Sequence, residues 1–177
     1  MSNKQVKSKE RVADHGEVFT SEREVNAMLD LVKQETERIE SRFLEPACGN
    51  GNFLAEILKR KLEVVTKLYK KNAFDWELYS ILALSSSYGV DFLEDNVLEC
   101  RERLLEIWKK AYKKATKQLP DEDLIQTAKH ILKHNILCGD ALTMLRNDGV
   151  PIIFAQWDLV IGSKFQRRDY RLDELIE

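Results

Sequence analysis

Phe43-Leu44-Glu45-Pro46-Ala47-Cys48-Gly49-Asn50-Gly51-Asn52-Phe53-Leu54 is the stretch on which the fold turns. Residues 43–47 read as a short buried strand. Pro46 has no amide to continue a ladder, and Gly49 and Gly51 permit a reversal that other residues resist, so the strand closes in a turn. Beyond it Phe53, Leu54, Ile57, Leu58 and Leu62 recur at a period near 3.6, which predicts an amphipathic helix.

The same alternation continues in both directions. Upstream, Ser21-x-x-Glu24 has the form of a capping box, and Val25, Met28, Leu29 and Val32 follow at helical spacing, predicting a helix over 22–39. Downstream, helical signal through Trp76, Leu78, Tyr79, Ile81 and Leu82 ends at Ser85-Ser86-Ser87, and residues 88–92 read as a second strand. A long helix with Val97, Leu104, Trp108 and Ala111 on one face follows. Its lysines form either a solvated face or a phosphate-contacting stripe. Pro120-Asp121 restarts a helix carrying Leu124, Ala128, Ile131 and Leu132. Residues 135–138 read as a third strand followed by a short helix to Asn147, and residues 157–161 as a fourth strand ending at Gly162. Strands alternating with helices imply parallel pairing through crossovers. The predicted fold is α/β, a Rossmann-like parallel sheet of about four strands with helices on both faces.

Composition agrees with one domain. The chain has 177 residues, 44% hydrophobic and 33% charged, with a net charge of -2, enough apolar content for a single core without disulfides or metal. Seven glycines and three prolines are too few for an all-β fold built on tight turns. Cys48, Cys100 and Cys138 lack a C-x-x-C spacing, which points to a reducing, cytoplasmic setting, and no apolar run approaches the roughly 18 residues of a membrane span. His130 and His134 have the i, i+4 spacing of a helical metal pair but no third ligand or Glu-x-x-His frame, so no metal is expected. Residues 1–12 read as a mobile basic lead, 13–166 as the domain and 167–177 as a charged tail, with Gln166 to Arg171 either solvated, the favoured reading, or a basic, aromatic nucleic-acid contact.

Ligands of such sheets bind beyond the carboxyl ends of the strands. There the sequence places Glu45 to Gly51, Asp91-Phe92, Asp140-Ala141 and Gly162-Ser163-Lys164-Phe165. The first turn is not a dinucleotide fingerprint, because Leu54 stands where a third glycine would be, and a phosphate-loop lysine is absent. Glu45 would repel a pyrophosphate and attract an ammonium group. Asp91 stands where a ribose-binding acid belongs, and Asp140 can accept from an adenine amine with Phe92 or Phe53 beside the ring. Cys48 reads as a small turn-filling residue. A nucleoside with a positive side chain and no phosphates is implied, a description that S-adenosylmethionine meets.

The stretch from Phe43 to Leu54 resembles the first motif of amino-group DNA methyltransferases, the adenine-N6 enzymes of restriction-modification systems. His15-Gly16-Glu17-Val18-Phe19-Thr20-Ser21 is similar to their upstream motif, with Ser21 in place of a proline. Tyr88-Gly89-Val90-Asp91-Phe92 and Leu137-Cys138-Gly139-Asp140-Ala141-Leu142 resemble the second and third motifs. The resemblance implies a methyltransferase fold in which Thr20, Glu45, Pro46, Ala47, Cys48, Gly49, Gly51, Phe53, Asp91, Phe92, Asp140 and Ala141 form the cofactor site, and it implies double-stranded DNA as partner.

After the fourth strand the family carries Asn-Pro-Pro-Tyr, which accepts hydrogen bonds from the target amine and stacks on the flipped base. Here Ser163 stands at the asparagine, Lys164 at the first proline and, with one residue missing, Phe165 at the aromatic. The hydroxyl reaches less far than an amide, and a misplacement of about 1 Å can cost ~100-fold in rate, so the chain alone is expected to methylate weakly or not at all. The family's sheet also runs to seven strands and adds a target-recognition domain, which implies a partner chain or further segment. A non-catalytic methyltransferase-like module completed by a partner chain is the alternative expectation. RNA or a protein amide would suit the same residues.

Overall fold

In the computed structural model, which describes residues 6–15, 17–161 and 163–175, seven helices and five strands follow one another among the described residues. Gly16 and Gly162, and the first five residues of the basic lead, lie outside them. The N-terminal part holds α1 (Lys9–His15), α2 (Glu22–Asp30) and α3 (Lys33–Thr36). The predicted capping box is formed, with the Ser21 hydroxyl and Glu24 carboxylate satisfying each other's backbone amides. The single helix expected over 22–39 is instead two. Asp30 puts a carboxylate at the C-terminal end of α2, with no basic residue in that turn, and Val32 leaves helical dihedrals at φ -119 and ψ 32.

The quoted stretch forms a strand, a turn and a helix as read, but the strand is shorter than 43–47 and half-buried rather than buried, with Leu44 exposed. β1 (Phe43–Glu45) is followed by a turn and by α4 (Asn52–Tyr69), and then come α5 (Ala73–Ser85), β2 (Ser87–Asp91), α6 (Glu94–Thr116), α7 (Glu122–Asn135) and β3 (Ile136–Cys138). Gly51 caps α4 at φ 83, and a Cβ there would meet the Cys100 sulfur of α6 at 2.6 Å, so both the backbone turn and the seat of α4 on α6 require glycine. Asp121 caps α7 by accepting the Leu124 amide proton.

β1, β2 and β3 form a parallel sheet in that order, with Phe43 opposite Ser87 and Gly89 opposite Ile136. Alternation divides β2 between two environments. Gly89 faces Cys48 and Leu54 on the side of α4, where the large core gathers. Trp76 and Trp108 lie in that core, their indole N–H groups donating to the Thr66 and Ser80 hydroxyls at 3.0 Å each. Tyr88 and Val90 instead pack with Ile152, Phe154 and Leu172.

That second cluster corrects the expected four-stranded parallel sheet with helices on both faces. β4 (Ile153–Val160) does not join the sheet. It pairs antiparallel with β5 (Lys164–Arg171) through eight residue pairs from Ile153↔Arg171 to Val160↔Lys164. The hairpin lays its start over the Tyr88 and Val90 face, with the Phe154 ring edge-on to Tyr88 at 5.4 Å and the Tyr88 hydroxyl donating to the Ala155 carbonyl. The segment expected as a charged tail thus supplies β5 and a short 3-10 turn at Asp173–Leu175. The short helix expected before Asn147 is replaced by turns pinned by bridges from Leu145 to Asp140 and Pro151. No described helix is long and apolar enough to cross a membrane.

Candidate functional site

At the carboxyl ends of the strands lies a cleft of about 580 Å³, within the range of small-molecule sites. Pro46, Ala47 and Gly49 line it from the turn after β1, Asp91 and Phe92 from the end of β2, and Asp140 and Ala141 from the loop after β3. Seven of the twelve residues expected around the cofactor therefore meet at one cleft. The other five do not line it. Cys48 is buried beneath the turn, Gly51 caps α4, and Phe53 packs on the core. Thr20 is anchored through its carbonyl to the Asn52 amide at 2.9 Å, and Glu45 is half-buried at the end of β1.

Asp91 organises the cleft. One carboxylate oxygen accepts the Gly49 amide proton at 2.9 Å, tying β2 to the first turn, while the other accepts from the Leu93 amide at 2.9 Å and the Asn96 side chain at 3.1 Å. Gly49 has φ 52, and a Cβ there would stand 3.0 Å from the Phe19 ring. The segment before α2 is thus the fourth wall, contributing Glu17, Val18 and Phe19.

Ion pairs hold that wall in place. Arg11 bonds Glu17 and Asp95, the latter at 2.5 Å, and Lys7 pairs with Glu99 at 2.6 Å. The Arg11 hydrogen bond holds the Asp95 carboxyl down at about 2. Asn96, 1% exposed, donates to Glu17 at 2.6 Å and accepts from Lys7 at 2.7 Å. Sequence reading missed Glu17, Phe19 and Asn96 as parts of the site. Glu17 and Phe19 lay inside the quoted upstream motif, and Asn96 lies in the first turn of α6, five residues after Asp91.

The lining carries three carboxylates, Glu17, Asp91 and Asp140, and among the described residues no lysine or arginine. Glu17 is neutralised by Arg11, and Asp91 and Asp140 give a wall that disfavours phosphate and favours a cationic ligand. Burial pushes the Glu45 carboxyl up, partly offset by the Ala47 amide. The Cys48 thiol is also held up, by its hydrogen bond with Cys100 and by burial, which keeps it protonated and unreactive. No described group of three or more His, Cys, Asp or Glu residues could hold a metal ion.

Ser163, Lys164 and Phe165 do not line the cleft. Ser163 precedes β5 at φ 59, Lys164 opens β5, and Phe165 turns toward α7 beside Trp157. Their displacement follows from the antiparallel pairing of β4, which carries the chain back along the hairpin. Comparison of the chain with protein-family models, curated proteins and solved structures finds no match.

Proposed function

We propose that the cleft binds S-adenosylmethionine and that the chain is the cofactor-binding part of an adenine-N6 DNA methyltransferase of the restriction-modification type, with a Rossmann-like sheet. The observation that carries the reading is the acidic, lysine-free lining at the ends of three parallel strands, built from the turns that the motif resemblance singles out.

The residues present fit the group. Asp91 uses three of its roughly four acceptor sites on Gly49, Leu93 and Asn96, leaving capacity for a ribose hydroxyl. Phe92, 56% exposed at the cleft wall, offers a ring to the adenine, and Asp140 offers an acceptor to its amine. Glu17 is neutralised by Arg11 at 2.7 Å, so Asp91 and Asp140 carry the negative charge of the lining. When bound, S-adenosylmethionine supplies an electrophilic sulfonium methyl. The chain's part is to hold and orient it. With Ser163, Lys164 and Phe165 on the hairpin, the chain alone binds cofactor and transfers little.

Titration calorimetry with S-adenosylmethionine tests this, with ATP as the phosphate-bearing control. Binding of the first and rejection of the second is the expected result. No heat with S-adenosylmethionine at millimolar concentration, or equal binding of ATP, overturns the reading.

The second reading, a non-catalytic module completed by a partner chain, draws on β1. Among the described residues it pairs with β2 on one side and with no strand on the other, and Leu44 in its middle is 44% exposed. Sedimentation of the chain with a candidate partner, compared with a Leu44→Lys variant, separates the two.

A further inference from the structure

A second cavity, of about 540 Å³, lies on the far side of the hairpin, between α7 and the β4–β5 face. Its floor is aromatic. Trp157 and Phe165, diagonal neighbours across the antiparallel register, line it together with His130 of α7. Trp157 is held in orientation, its indole N–H donating to Asn135 at 3.1 Å, and Asn135 is fully buried and donates in turn to the Ser85 carbonyl at 2.8 Å. The Arg167 guanidinium lies 5.7 Å from the Trp157 ring centre.

The rim is basic. Lys129 and Lys133 stand one turn apart along the cavity wall, both exposed, and neither is in an ion pair among the described residues. Among the described lining residues Asp123 is the one carboxylate; it belongs to the first turn of α7, about 9 Å along the helix from Lys129 and about 15 Å from Lys133 at 1.5 Å per residue. An aromatic floor with a cationic rim at one end matches a base joined to a phosphate, since rings accept any base face and ammonium groups accept the backbone.

We propose that this groove is a binding site for single-stranded nucleic acid, with bases stacked on Trp157 and Phe165 and backbone phosphates on Lys129 and Lys133. The inference does not depend on the cofactor reading, since no described residue lines both sites. It also does not require the hairpin to carry a catalytic motif.

Of the three tryptophans, Trp76 and Trp108 are 1% and 0% exposed, so quenching of emission by a bound base reports Trp157. The experiment titrates the full chain with labelled single-stranded DNA and RNA homopolymers, reading anisotropy and tryptophan emission at low and moderate salt. The expected result is binding that weakens about tenfold or more with salt, as for several phosphate contacts, accompanied by quenching. Lys129→Gln with Lys133→Gln should weaken it about tenfold, and Trp157→Leu at least about fivefold. The lysine pair is exposed, so it remains decisive if Trp157→Leu does not fold. No binding of either homopolymer overturns the proposal, as does binding that neither variant changes. AMP quenching as strongly as the homopolymers would assign the groove to a free mononucleotide and overturn it for a strand. A base-free polyanion such as heparin binding as tightly, with no loss on Trp157→Leu, would do so too.

Discussion

The Asp91 carboxylate and the Gly49 amide, 42 residues apart in sequence, meet at 2.9 Å and join the second strand to the turn that ends the first. An Asp91→Asn side chain keeps one acceptor oxygen for donors that now use two. It is expected to lose about 1–2 kcal/mol of stability from a buried amide left without a partner, and at least tenfold in S-adenosylmethionine affinity. Urea denaturation and calorimetry read the two effects separately. Unchanged affinity with lowered stability would leave Asp91 as a turn support only.

Gly51→Ala places a Cβ in the left-handed region and against the Cys100 sulfur. A loss of about 2–3 kcal/mol is expected, of which roughly 1 is backbone strain. Pairing it with Cys100→Ala should recover the steric part, measured as a double-mutant cycle in urea. Simple additivity of the two changes would place the clash elsewhere.

Lys61 is fully buried in α4, donating to the Ser41 carbonyl and the Ser86 hydroxyl with Phe43 beneath it. Burial brings its ammonium down to about 7, while Glu40 and Glu35 favour the charge. Its folded-state value lies below the unfolded one, so between them the unfolded chain binds the extra proton. The cost of charging is full below about pH 7 and is relieved as pH rises toward about 10. Stability in urea should therefore rise from about pH 7 to 9 in the native chain, with a smaller slope in Lys61→Met. Identical slopes would show that Lys61 does not titrate in this window.

Thiol alkylation should separate the cysteines. Cys48 and Cys100 are buried, whereas Cys138 is partly exposed at the end of β3. Native chain should take up one equivalent of iodoacetamide, at Cys138, and the other two only in denaturant. Rapid native labelling of Cys48 would mean that the turn opens readily. Mass mapping of the labelled peptides decides it.

The parts of this fold that sequence made legible are those governed by neighbours in the chain. The Pro46 and Gly49–Gly51 break, the Ser21 and Asp121 caps and the apolar stripe of α4 each act within a few residues, and each formed as read. Pairing was not local, so it was less legible. β5 is mostly polar, with Phe165 and Tyr170 as its aromatic residues, and becomes a strand because Trp157, Leu159 and their neighbours lie opposite it. Lys7 and Arg11, taken as a loose lead, find their partners on α6 more than 80 residues away. Within the site, the turns after β1, β2 and β3 were visible as glycines beside carboxylates. The wall from Glu17 to Phe19 was not assigned, because its place depends on those distant ion pairs. Lys61 left one trace, a charged residue on the stripe that Leu54, Leu58 and Val65 define.

The register of the two sheets also sets an order in time. In the parallel sheet Phe43 meets Ser87 and Gly89 meets Ile136, so each pairing must close a long loop through whole helices, whereas Val160 meets Lys164 across three residues. Loop closure of that short kind takes microseconds, and non-local parallel pairing is far slower. We therefore expect the β4–β5 contact to be reached first, and the sheet beneath it to be what makes that contact last.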